Sequence, residues 1–89
     1  MKIKNEFILK EVANEVIVVP TGKASVSFQG MMTLNKTAKF LFEALQEDMT
    51  LEDLVILLTK TYDISYEEAY KDVKAFIDLL ESKKMLDAA

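Results

Sequence analysis

The side chains best able to do chemistry in this chain are its acids, and two adjacent pairs, Glu52 with Asp53 and Glu67 with Glu68, are the first candidates. Acid/base catalysis by two carboxyls needs one held protonated in a cleft while the other stays ionised. Neighbouring residues of a helix point about 100° apart, so neither pair converges on one substrate atom. Both pairs instead open helical patterns, where negative charge meets the positive end of the helix dipole. No calcium-loop spacing joins the acids into a metal site. The chain has no histidine and no cysteine, which removes the usual neutral-pH proton carrier, the thiolate nucleophile and the common zinc ligands. Gly22 and Gly30 stand alone at turns and form no phosphate-binding loop. The expectation is no catalytic residue, no metal, no cofactor and no enzymatic activity.

Charge narrows the partners. The formal net charge is −4 and every cation is lysine, whereas nucleic-acid readers depend on basic patches and on the two-pronged contacts of arginine. No run reaches the roughly 20 apolar residues of a membrane span, and no signal-peptide pattern opens the chain. A cytoplasmic location, with neither membrane nor nucleic acid as partner, is expected. With 89 residues and 51% hydrophobic content, one domain spanning 1–89 is predicted, its ordered core running from about residue 6 to residue 86.

The elements that must position any binding residue change character at Asn35. Residues 1–5 read as loose. Phe7 to Val12 and Glu15 to Val19 read as strands joined by a tip at Ala13-Asn14, and Pro20 with Thr21-Gly22 turns the chain. Ala24-Ser25-Val26-Ser27-Phe28 alternates cleanly and predicts a third, half-buried edge strand. Met31-Met32-Thr33 then leads to Asn35, which is placed to cap a helix reaching about Glu47, with Ala38, Leu41, Phe42 and Leu45 inward. Thr50 caps a second helix burying Leu51, Leu54, Val55, Leu58 and Tyr62. Ser65-Tyr66-Glu67-Glu68 has the form of a capping box for a third helix, to about Lys83. Its inward stripe is Ala69, Val73, Phe76, Ile77 and Leu80, extended by Tyr66 and Tyr70, and Met85 and Leu86 fold back as a cap. The fold class is α+β, an antiparallel three-stranded meander followed by three helices.

The third strand carries the sharpest functional signal. As an edge it leaves a row of backbone donors and acceptors unpaired, with thin protection: a lysine at its start, serines on one face and no proline. Two readings follow, shielding by local or self-pairing and addition of an extended peptide as a further strand. About four backbone hydrogen bonds at ~0.5–1.5 kcal/mol each and two apolar anchors at ~1.5–3 kcal/mol each, less the ordering cost, give binding in the micromolar range. Met31-Met32, the one methionine cluster, sits beside this strand and suits either core filling or partner contact.

Leu34-Asn35-Lys36-Thr37-Ala38, Leu41-Phe42-Glu43, Leu45, Thr50 to Leu54, Tyr62-Asp63-Ile64, Ala69, Asp72-Val73, Phe76-Ile77 and Leu80 together resemble the PqqD family over nearly the whole chain. These small proteins are recognition elements for ribosomally made, post-translationally modified peptides. The chain has Phe42 where tryptophan is frequent in the family and Ala38 where glycine is common; both keep the packing logic. The resemblance implies a winged-helix-like fold without catalytic activity. It also implies a groove in which the leader of a precursor peptide adds to the third strand beside the third helix and is delivered to a modifying enzyme, often a radical S-adenosylmethionine (radical SAM) enzyme. Carried onto this chain, the peptide-binding positions are Ala24, Ser25, Val26, Ser27 and Phe28 on the strand, with Tyr70, Val73, Phe76 and Ile77 on the helix. The sequence ends just after the third helix, so a free-standing peptide chaperone with a separate maturase is expected.

Two rivals come from other classes. One is a winged-helix DNA-binding regulator, disfavoured because Glu67, Glu68, Asp72, Asp78 and Glu81 outnumber Lys71, Lys74 and Lys83 on the third helix. The other is a self-associating module whose edge strand pairs with its own copy, and such a homodimer is compatible with peptide binding.

Overall fold

The computed structural model describes residues 1–23 and 32–87. In chain order these form β1 (Lys2–Ile3), β2 (Phe7–Val12), β3 (Glu15–Pro20), β4 (Met32–Leu34), α1 (Lys36–Ala44), α2 (Leu51–Tyr62), α3 (Tyr66–Ser82) and β5 (Leu86–Asp87). An antiparallel sheet of order β2-β3-β4 precedes the three helices, and β1 pairs with β5 in a separate two-stranded ladder. No helix among the described residues is long and apolar enough to cross a membrane.

The hairpin joining β2 to β3 closes at Ala13 and Asn14, both left-handed with φ of 51° and 69°. That geometry matches the right-handed strand twist. Pairing of Leu9 with Val18 and of Val16 with Leu34 puts Phe7, Leu9, Val16, Val18, Met32 and Leu34 on one face, as the period of two requires. This face meets the helices. Val18, Leu41, Leu45, Leu54, Val55, Leu58, Ala69, Val73 and Leu80 lie almost fully buried in a single core. Ile8, Ile17 and Val19 fall on the opposite face, and none of the three is buried.

Each helix begins at a polar side chain that satisfies an orphan N–H. The Ala38 N–H donates to Asn35 Oδ1 at 2.8 Å. Thr50 and Asp53 form a full capping box, with Asp53 N–H on Thr50 Oγ1 at 3.0 Å and Thr50 N–H on Asp53 Oδ2 at 3.1 Å. Ser65 Oγ accepts from the Glu68 N–H at 3.2 Å. The reciprocal box thus forms at Thr50, where the shorter aspartate reaches back. On α3, Lys74 Nζ lies 2.7 Å from Asp78 Oδ1 across one turn.

Several expectations are corrected. Residues 1–5 are not loose: Ile3 pairs with Leu86 and is 1% exposed, so the core begins at Ile3. The Ile3 N–H donates to Leu45 O and the Lys4 N–H to Met85 O. Met32-Thr33 is strand rather than lead-in, because it pairs with Val18 and Ile17. The first helix stops at Ala44, where Leu45 takes the cap and turns down into the core. Tyr62, Tyr66 and Tyr70 are exposed rather than inward; they stand beyond the core stripes near the α2–α3 turn, where a phenol reaches water. The folding back of Met85 holds, and its side chain is fully buried.

Candidate functional site

Among the described residues β4 is paired on one side only, with β3. Residues of β4, α1 and α3 together line an open groove of about 350 Å³. Thr33 and Leu34 of β4 form one wall, continued by Asn35, Thr37, Ala38 and Leu41 at the start of α1. Asp72, Ala75, Phe76 and Leu79 of α3 form the other.

Local sequence explains this shape. Leu34 ends β4 facing the core, and Asn35 is extended at φ −78° and ψ −179°, so α1 leaves at an angle rather than continuing beside the strand. Asn35 spends its side-chain oxygen on the cap, and the wall next to the strand alternates polar Thr33, Asn35 and Thr37 with apolar Leu34, Ala38 and Leu41. On α3, positions 72, 75, 76 and 79 recur at spacings of three and four and share one stripe. It borders the core stripe and meets it at Phe76. Leu34, Leu41 and Phe76 are buried and make the floor, whereas Leu79 is 39% exposed and stands at the rim. Asp72 is the one charged side chain among the described lining residues.

The predicted site residues divide. Ala24, Ser25, Val26, Ser27 and Phe28 lie outside the described residues. Phe76 lines the groove. Val73 and Ile77 belong to the core at 0% and 5% exposure, because the 3.6-residue period turns them toward the sheet and α2. Tyr70 is outside the groove, with its ring stacked 6.5 Å from that of Tyr66. Sequence reasoning missed Thr33, Thr37, Asp72, Ala75 and Leu79. Leu79 did carry a signal: it is a leucine lying beside the core stripe rather than on it.

Among the described residues the groove offers a β4 edge without a strand partner, a floor of Leu34, Leu41 and Phe76, and one carboxylate. Those features suit capture of an extended chain. Among the described residues no group of three or more acidic, histidine or cysteine side chains gathers into a metal site. A larger hollow of about 430 Å³ lies by the chain ends between Met1, Lys4, Glu81, Lys84 and Leu86. It sits away from β4, and its border is the β1–β5 ladder rather than the open edge.

Among solved structures, the chain is similar to TbiB1 in complex with the TbiA(beta) leader peptide, at 18% identity and a TM-score of 0.77, covering 100% of this chain and 98% of that one. It is also similar to lasso peptide synthetase B1 complexed with the leader peptide, at 18% identity and a TM-score of 0.69, covering 91% and 89%. At such identity the likeness establishes the fold, an α+β arrangement of sheet and three helices. No curated relative matches the chain. The family model described as coenzyme PQQ synthesis protein D (PqqD) matches residues 9–86, and the chain accordingly belongs to the PqqD family.

Proposed function

We propose that this protein is a non-catalytic peptide chaperone that receives the leader region of a ribosomally made precursor peptide as an added strand along β4 and presents it to a separate modifying enzyme of the radical SAM class. The observation that carries this reading is the groove between the unpaired side of β4 and the 72–79 stripe of α3. Family membership and the likeness to two proteins solved with leader peptides support it. Ala24 to Phe28, which precede β4 in the chain, belong to the proposed strand side on sequence grounds. The protein works in the cytoplasm, where precursor and maturase are made. The same edge could pair with a second copy, so peptide and self-association compete for it.

A charge placed at the rim tests the proposal. Short linear peptides selected from a random library on the full chain are titrated against Leu79→Glu, whose exposed helical position leaves the fold intact by circular dichroism. Loss of an apolar anchor worth about 1.5–3 kcal/mol lowers affinity at least about tenfold. Unchanged affinity in the folded variant would remove the groove from the mechanism.

A further inference from the structure

We propose that Asp72 gives the groove a charge preference: the peptide it takes carries a lysine or arginine two residues from the apolar side chain that fills the floor. This rests on the strand-addition reading above and deepens it. Among the described residues no lysine lines the groove, and the exposed Asp72 side chain makes no ion pair or hydrogen bond with another described side chain. Asp72 is exposed and hydrated, and a cation that arrives with the ligand beside the apolar floor gains the attraction of a surface ion pair there, which sets a preference rather than the affinity. The net charge of −4 attracts such a ligand from a distance.

The spacing follows from two periods. From Asp72 to Phe76 is four helical residues, about 6 Å along the axis. Side chains on one face of a strand repeat every two residues, about 6.8 Å. A strand lying beside α3 with an apolar residue over Leu34, Leu41 and Phe76 therefore brings the side chain two positions away to Asp72. The intervening residue faces outward and is free to vary. An acid in place of the cation meets Asp72 at like charge and is rejected.

The test uses short linear peptides randomised at every position and selected separately on the full chain, on Asp72→Asn and on Asp72→Lys, with bound peptides mapped by backbone amide shifts. The expected result is enrichment of an apolar residue and a lysine or arginine two positions apart on the native chain. That enrichment disappears on Asp72→Asn and turns to glutamate or aspartate on Asp72→Lys. In a selected peptide, replacing the cation by alanine weakens binding about three- to tenfold on the native chain and leaves it unchanged on Asp72→Asn. Peptides that shift the amides of Thr33, Leu34 and Phe76 without any preference for a cation would overturn the role of Asp72 and leave strand addition standing. Peptides that leave those amides unmoved would overturn both.

Discussion

Asn35 stands where β4 hands over to α1, and its Oδ1, 2.8 Å from the Ala38 nitrogen, fixes the angle at which the groove opens. Asn35→Ala leaves that N–H without its partner and costs about 1 kcal/mol, a fall in melting temperature of about 4–8 °C for a domain of this size. Thermal unfolding followed by circular dichroism checks it. The same variant should weaken peptide binding beyond its stability loss, because the Asn35 side chain also lines the groove. Such roles were legible in unequal measure. Asn35, Thr50 and Ser65 could be read directly, since a cap and its helix are adjacent in sequence. Asp72 and Leu79 could not, because whether a helical residue borders a groove depends on what another element leaves uncovered. Val73 and Ile77, groove positions by the family resemblance, lie in the core, where the 3.6-residue period puts them.

Elements show the same division between local and distant causes. The β2–β3 hairpin, the three helices and their core stripes follow from period and turn chemistry within each segment. The β1–β5 ladder does not, since two residues carry no period and their partners lie at opposite ends of the chain. That ladder nevertheless closes the core: Ile3 and Met85 are 1% and 0% exposed. Ile3→Ala or Met85→Ala should each cost about 2–5 kcal/mol in denaturant unfolding, whereas a loose N-terminal segment would make Ile3→Ala nearly silent. The hairpin tip offers the opposite prediction. Ala13 holds φ 51°, which an alanine adopts unwillingly; replacing Ala13-Asn14 by Asn-Gly should stabilise the protein by about 0.5–1 kcal/mol, measured in the same way.

At the scale of the molecule, the helices cover one face of the sheet and, among the described residues, leave one edge of β4 unpaired. The α+β architecture was readable from the switch of period at Asn35. The edge strand expected over Ala24 to Phe28 lies outside the described residues; the described strand at the groove, Met32–Leu34, was not read from sequence because it is too short and too close to the helix cap to show alternation. The account stands on that edge accepting a foreign backbone. Amide hydrogen exchange at residues 32–34, with and without a saturating selected peptide, tests it most directly: strand addition predicts that at least one β4 amide becomes protected and that cross-strand contacts join the peptide to Thr33. A peptide that binds while all three amides exchange as in the free protein would contradict it.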